Sequence, residues 1–217
     1  MYTTIRGSAL AALASLALFS AAPAMADTLY ASSGYVYNST EVGDYAFDNT
    51  GQSLIAATFT LSQATHVTGV GGVFTQYGDG GTIFASIIAL PSAQTNVTSA
   101  SLPGLALGTA VFAPPTDGSD YTSTLSLNLS AGTYELVFGS GLFGATGYSG
   151  LASGMAGTAN LLQSVDGGAT WGTLSDSVRV TVSGTAVPLP AGLPMLGSAL
   201  ALGAGLVRRR RAQPLAA

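Results

Sequence analysis

The sequence predicts an all-β body, an antiparallel β-sandwich or jelly roll, on the basis of three observations. Short segments alternate polar and apolar residues, as half-buried strands do. Breaks rich in Gly or Asp-Gly separate these segments at 78–81, 114–118 and 139–150. The body, residues 27–186, shows no convincing helical period, so crossover helices and a parallel sheet are not expected.

The strand pattern is clearest in the middle of the body. Residues 53–61 mix apolar and polar side chains, and residues 82–90 are apolar almost throughout, which is typical of a central strand. Residues 124–129 alternate strictly, and a turn at 130–132 joins them to another strand segment at 133–138. These last two strands are therefore predicted to form a hairpin.

The end of the body is less uniform. Residues 177–183 alternate, with three valines on one face and Arg179 on the other. The Gly-rich stretch 139–157 fits the strand pattern least. It is interpreted either as a long loop or as a strand that passes close to another backbone.

Composition bounds the kinds of partner that the chain can have. Its 217 residues suffice for one domain plus targeting segments, and without Cys the body has no disulfides. All ten carboxylates lie between Asp27 and Asp176, whereas the cations are Arg6, Arg179 and the run 208–211. If both ends are removed, ten acidic residues face Arg179 alone, a net charge near −9. Such a surface excludes nucleic acid as a partner and helps to keep an exported protein soluble.

Residues 1–26 have the three parts of a secretory signal peptide. Arg6 supplies the positive start, residues 9–22 form a run of apolar and small residues, and Ala24 and Ala26 form an A-x-A site for signal peptidase. A membrane anchor is the alternative, but the run is short for a bilayer core. The mature chain is therefore predicted to begin at Asp27, outside the cytoplasm.

The C-terminal residues 187–217 form a second address with three parts. In chain order these are a Pro-containing motif, an apolar segment and an arginine cluster: Val187, Pro188, Leu189, Pro190 and Ala191; residues 192–207; and Arg208, Arg209, Arg210 and Arg211. The apolar segment makes about 24 Å of helix, which can cross a locally thinned membrane. The arginines would stop transfer and remain cytoplasmic, while the prolines keep the preceding peptide extended and accessible.

This tail resembles the PEP-CTERM class of sorting signals in its VPLPA form, over about 25 residues. The resemblance implies recognition by an exosortase, a membrane cysteine transpeptidase-like enzyme of Gram-negative bacteria. It also implies tethering to the inner membrane, cleavage near the motif and delivery to the cell surface or extracellular matrix, often beside exopolysaccharide. Pro194 departs from a regular apolar helix, although Pro costs little in a first helical turn. An ordinary single-pass anchor is the alternative.

Residues 164–171 (SVDGGATW) fit the pattern S-x-D-x-G-x-T-W. They resemble the Asp-box, a hairpin of sialidase propellers and other β proteins that is mostly structural and lies away from active sites. Propellers carry one copy in each blade and this chain has one in all, so neither a sialidase nor a propeller is expected. Trp171 is predicted to pack on the base of the hairpin, with stacking on a glycan as the alternative.

Catalytic machinery is not expected in this chain. His66 is the only histidine, Cys is absent, and neither a nucleophile elbow nor a set of zinc ligands is recognisable. Glu41 and Glu135 are the only glutamates, and Glu135 is expected to face solvent from its strand. A small hydrolase that depends on His66 or Glu135 is therefore a minor alternative.

Two ligand classes are kept as alternatives, although no cofactor is expected. Calcium suits the oxygen-bearing turns 77–80 and 117–120, where simple turn shaping by the aspartates is the favoured interpretation. A glycan suits the tyrosines near the mature N-terminus, for which strand aromatic pairing is favoured. These tyrosines are Tyr30, Tyr35, Tyr37 and Tyr45.

The sequence as a whole predicts an exported protein that an exosortase sorts to the surface or the extracellular matrix. Its body is expected to be non-catalytic and associated with the cell envelope or exopolysaccharide. The alternatives are a carbohydrate-binding module that uses Trp171 and exposed tyrosines, and the small secreted hydrolase.

Overall fold

The computed structural model of the chain describes most of the body. The described residues are 26–34, 36, 43–76, 80–90, 97–115, 117–154, 161–174 and 176–187. The predicted signal peptide, apart from Ala26, and the tail after Val187 lie outside them.

Within the described residues the chain forms thirteen strands and one short helix. In chain order these are β1 (Asp27–Ala31), β2 (Gly43–Phe47), β3 (Leu54–Leu61), β4 (Thr65–Gln76), β5 (Ile83–Ala89), α1 (Leu102–Leu105), β6 (Ala106–Phe112), β7 (Asp117–Leu129), β8 (Gly132–Gly139), β9 (Ser149–Gly154), β10 (Leu161–Ser164), β11 (Gly172–Thr173), β12 (Ser177–Val178) and β13 (Val180–Ala186).

The strands form two antiparallel sheets. The first has the order β1-β13-β4-β9-β12, with β2 beside β9 and β7 beside β4. The second has the order β11-β10-β3-β8-β5-β6. Every strand pairing among the described residues is antiparallel, which confirms the all-β prediction.

A single main core joins the two sheets in a sandwich-like arrangement. Val70 and Phe74 of β4 contribute to it from the first sheet, and Leu136 and Phe138 of β8 from the second. The Phe74 ring meets the rings of Phe138 and Phe112 edge to face, at centroid distances of 5.8 and 5.5 Å. Such aromatic contacts favour one packing arrangement over many.

Several predicted strands are confirmed in position and face. β5 lies between β8 and β6 and is buried on both faces, as a central strand should be. The predicted valine face of residues 177–183 is also confirmed, because Val178, Val180 and Val182 are all buried in the main core. Arg179 interrupts the ladder between β12 and β13, where its carbonyl accepts the N–H of Val73 at 3.1 Å.

The predicted hairpin between residues 124–129 and 133–138 is wrong. β7 pairs with β4 in the first sheet, whereas β8 pairs with β3 and β5 in the second. The short turn is therefore a corner that carries the chain from one sheet to the other. The hydroxyl of Tyr134 donates to the carbonyl of Ser130 at 2.9 Å and holds this corner closed, much as a tyrosine corner does in other sandwiches.

A second, smaller apolar cluster covers the outer face of the second sheet. It contains Phe84 and Val137 from the strands, together with Val97, Leu102 and Ala145 from the segments that cross over them. Because alternate residues of a strand share a face, Glu135 lies on the same side of β8 as Val137. Glu135 is fully buried there, so the prediction that it faces solvent is wrong.

The Gly-rich stretch contains both of the structures considered for it. Residues 140–148 form turns, and β9 follows as a fully buried strand paired with β2 and β4. Gly147 lies so close to the backbone of Thr82 and Gly81 that a Cβ would come within 2.8 Å of the Gly81 Cα. Small residues are needed here because two backbones pass each other.

Candidate functional site

The Asp-box-like segment forms a turn closed by its own side chains. Asp166 accepts the backbone N–H of Thr170 at 2.9 Å and the Thr170 hydroxyl at 2.6 Å. The Ser164 hydroxyl donates to the Asp166 carboxylate at 2.8 Å and accepts the N–H of Gly168 at 2.8 Å. The turn joins β10 to β11. Leu162 and Gln163 of β10 pair with Thr173 and Gly172 of β11.

These donors shift the acidity of the carboxylate. Hydrogen bonds from the Thr170 hydroxyl, the Thr170 N–H and the Ser164 hydroxyl lower the pKa of Asp166 to about 2, from its ordinary value of 3.8. The charged form therefore fits the folded turn better than the protonated form does. The resulting stabilisation is complete above pH 4 and is lost as the pH falls through about 2.

Neighbouring segments fix the turn against the body. The Gly167 N–H donates to the carbonyl of Gln52 at 2.9 Å, and the Gly167 carbonyl accepts the N–H of Ser99 at 2.8 Å. Gly168 has a φ of 86°, and a Cβ there would lie 2.7 Å from the Cα of Thr98. Only glycine fits both the conformation and the space. The sequence pattern predicted the turn but not Gln52 and Ser99, which no local signal marks.

Trp171 has a structural environment in this fold. Its side chain is half-buried and packs against the outer cluster, and its indole N–H donates to the carbonyl of Val97 at 3.2 Å. The residue thus anchors the loop before α1 to the base of the turn. Stacking on a glycan would require that one face of this indole ring be open to solvent.

Replacing Asp166 by Asn is expected to destabilise the folded protein above pH 4, because Asn lacks the charge and one acceptor oxygen. The expected loss shrinks as the pH falls towards 2, where the native carboxylate itself becomes protonated. Urea unfolding of both proteins over this pH range measures the difference. A difference that stays constant with pH would show that the charge of Asp166 contributes nothing.

The two described tyrosines of the N-terminal group make separate contacts within the body. Tyr30 lies 5.8 Å from the Phe59 ring, and its burial raises its pKa. Tyr45 donates its hydroxyl to Asp176 at 2.7 Å; burial, then this bond and the nearby charge, raise its pKa to about 12. Both rings pack on the main core, so a joint glycan platform has no support from these two. Tyr35 and Tyr37 lie outside the described residues.

The two residues named for a hydrolase are far apart in the architecture. His66 directly precedes the inward-facing Val67 on β4. Because successive residues of a strand face opposite ways, His66 lies on the outer face of the first sheet. There it forms a hydrogen bond with the side chain of Asn128 at 2.8 Å. Glu135 lies on the outer face of the second sheet. The fold therefore does not bring His66 and Glu135 into one site.

The acidic turns considered for calcium are placed only in part. Asp120 lies on β7 and accepts a hydrogen bond from Arg179 at 2.9 Å. A hydrogen bond from the Ser119 side chain lowers the pKa of Asp117. Residues 77–79 lie outside the described residues. The part of the chain that the structure describes contains no group of three or more His, Cys, Asp or Glu side chains that could hold a metal ion.

The two ends of the body that adjoin the predicted processing regions lie side by side. β1 begins at Asp27 and pairs with β13, so that Asp27 lies opposite Gly184. β13 ends at Ala186, and Val187 follows with its N–H donating to the carbonyl of Ala64 at 2.9 Å. Because the strands are antiparallel, the chain enters β1 and leaves β13 at the same end of the sandwich.

Most of the residues predicted to direct processing and sorting are not described. Ala26 and Val187 are exposed, whereas Ala24, the rest of the motif and the arginine cluster lie outside the described residues. Among the helices that the structure does describe, none is long and apolar enough to cross a membrane. Comparison with protein-family models and with curated proteins finds no match to this chain.

Proposed function

We propose that this chain is an exported protein that an exosortase-type enzyme sorts to the cell surface or the extracellular matrix. The observation that carries the proposal is the order of three signals at 187–217: the Pro-containing motif, the apolar segment and the arginine cluster. Signal peptidase removes residues 1–26, the sorting enzyme recognises 187–191, and the body is a non-catalytic sandwich. The body is proposed to associate with the cell envelope or with exopolysaccharide.

The position of the chain ends supports this proposal. A precursor held by a signal peptide and a C-terminal helix is tethered to one membrane twice, so both tethers must leave the body at the same end. β1 and β13 meet this requirement, because Asp27 lies beside Gly184 and Val187 follows three residues later. Both cuts would also leave every described strand intact, since β1 begins at Asp27 and β13 ends at Ala186.

A carbohydrate-binding body is the alternative proposal. Tyr148 and Tyr121 are each more than a third exposed, and the rings of Tyr148 and, on the side away from Phe112, of Tyr121 could stack on sugar rings. Binding of the secreted protein to polysaccharide from the same cells, tested with Tyr148→Ala and Tyr121→Ala variants, separates this alternative from a purely structural body.

The sorting proposal is tested by replacing Pro188 and Pro190 together by Ala in the full-length gene. We expect the released form to disappear and an uncut precursor to collect in the membrane fraction, because the motif would no longer stay extended next to the membrane. Immunoblots of medium, membrane and soluble fractions measure the distribution.

The matched control is Pro214→Ala, which changes a proline of the same tail beyond the arginine cluster. This control is expected to be processed and released as the native protein is. Normal release of the Pro188→Ala, Pro190→Ala protein would contradict recognition of the motif.

A further inference from the structure

The strand β6 forms one edge of the second sheet. It pairs with β5 on one side, and none of the other described strands pairs with it on the opposite side. β7 of the first sheet lies close to it without a strand pairing: the Tyr121 ring stacks on Phe112 at 5.4 Å, and a Cβ at Gly108 would lie 3.3 Å from the Leu127 side chain. An edge strand of this kind presents a row of backbone N–H and C=O groups that a further strand can bind.

The outer face of β6 is apolar and exposed. Ala110 and Phe112 point into the main core, so Leu107, Thr109 and Val111 point the opposite way. Leu107 and Val111 are 46% and 42% exposed, and Leu105, just before the strand, is 50% exposed. Exposed aliphatic side chains on an unpaired edge are unusual in proteins that remain monomeric.

This edge also lacks the charges that normally protect such strands. Residues 80–116, which include β6, contain no Asp, Glu, Lys, Arg or His. All ten carboxylates of the body lie in the rest of it, and nine of them lie outside β8. Two acidic residues lie near the edge: Glu135 on β8 is buried, and Asp120 on β7, next to Tyr121, is paired with Arg179 at 2.9 Å. Copies of an acidic body repel one another across most of their surface, and the uncharged edge is where two copies can approach.

We propose that β6 is a self-association edge, which pairs antiparallel with β6 of a second copy of this chain and joins the second sheets of the two molecules. The pairing is isologous, so each copy contributes the same surface. The proposal does not depend on how the ends of the chain are processed.

The alternation of the strand defines the contacts of this pairing. The ladder with β5 shifts register between Gly108 and Ala106, so Leu107 lies in a bulge. A two-fold axis at Thr109 then brings Leu107 of one copy beside Val111 of the other, twice. Both pairs lie on the outer face, where directly opposed Cβ atoms are about 4.5–5.5 Å apart and aliphatic pairs stabilise the sheet. The exposed side chains would thereby become mutually covered.

The first test introduces like charges at the edge. Leu107→Glu with Val111→Glu is expected to weaken self-association about tenfold or more, since four carboxylates would then meet across the axis. The matched control is Val36→Glu with Val165→Glu, because those valines are 71% and 68% exposed elsewhere on the surface. The control adds the same charge to the body and is expected to associate as the native protein does.

Sedimentation of the proteins purified from cells that express the full-length gene measures the association constants. A native protein that is monomeric at every concentration would overturn the proposal. Equal weakening by the edge variant and by its control would overturn it as well.

The second test uses the absence of Cys from the chain, which makes any introduced thiol unique. Leu107→Cys protein mixed with Val111→Cys protein is expected to give a covalent dimer with a short bismaleimide. Val165→Cys, alone or mixed with either, is expected to give none. Cross-linking of the control to the same extent, or cross-linking of neither edge variant, would rule out the antiparallel β6 pairing even if the charged variants failed to fold.

Discussion

Replacing Phe74 by Ala is expected to lower the free energy of unfolding by about 3–5 kcal/mol, the range for truncating a buried phenylalanine. Phe74 is fully buried on β4, between the rings of Phe112 and Phe138, which come from the opposite sheet. The substitution therefore removes two aromatic contacts between the sheets and leaves a cavity in the main core. Urea unfolding of the purified protein measures the change.

Tyr121→Ala is the matched control for this substitution. Its ring also contacts Phe112, at 5.4 Å, but lies at the surface and is 36% exposed. The aromatic pair contributes about 0.5–1.5 kcal/mol beyond the area that the ring buries, and the total loss is expected to stay below that of Phe74→Ala because Tyr121 is partly exposed. Equal losses for the two variants would contradict a core centred between the sheets at Phe74.

Replacing Gly71 by Ala is expected to destabilise the protein by about 1–3 kcal/mol, as overpacking does. A Cβ at Gly71 would overlap the carbonyl oxygen of Tyr121 and lie 2.9 Å from the Cα of Thr122. Both atoms belong to the backbone of β7, so no side-chain rotation can relieve the clash. The strand itself must move away from β4, its only partner among the described strands.

The control for Gly71 is Gly172→Ala, which also adds a methyl group to a glycine in a strand. Nothing lies within 4 Å of a Cβ at Gly172, so a change within about 0.5 kcal/mol is expected. Thermal or urea unfolding compares the two. If Gly71→Ala is tolerated as well as Gly172→Ala, β7 does not lie as close to β4 as the fold requires.

Much of the strand content follows from the local sequence, because burial imposes a period of two on each half-buried strand. The valines at 178, 180 and 182 and the apolar run of β5 were predicted correctly for this reason. The alternation cannot tell on which sheet a strand lies, since the strands of both sheets turn an apolar face to one core. The corner between β7 and β8 was therefore predicted as a hairpin.

Burial of the outer face was harder to predict than burial of the core. Glu135 alternates with apolar neighbours and was expected to meet water, but the segments that carry Val97, Leu102 and Ala145 cover the outer face of the second sheet. Whether a loop folds back over a sheet depends on contacts distant in sequence, which periodicity does not encode. β9 was uncertain for a similar reason, because the close approach of Gly147, just before it, to the backbone of Gly81 and Thr82 joins segments distant in sequence.

In the candidate sites, too, contacts between residues close in sequence were predicted and contacts between distant segments were not. The Asp-box-like turn was predicted from its pattern because Asp166, Ser164 and Thr170 bond one another within a few residues. Its supports, Gln52 and Ser99, come from distant segments and were not predicted. The β6 edge carried a sequence signal, the uncharged run 80–116, but only the sheet order shows that the strand lies at an edge.

The intact mass of the mature protein, taken from the cells that produce it, tests whether the chain is exported and then sorted at its C-terminus. Cleavage at both ends gives a chain that begins at Asp27 and ends within or beside 187–191, without the apolar segment. A mature chain that still carries Arg208, Arg209, Arg210 and Arg211 would rule out sorting and indicate a conventional single-pass anchor.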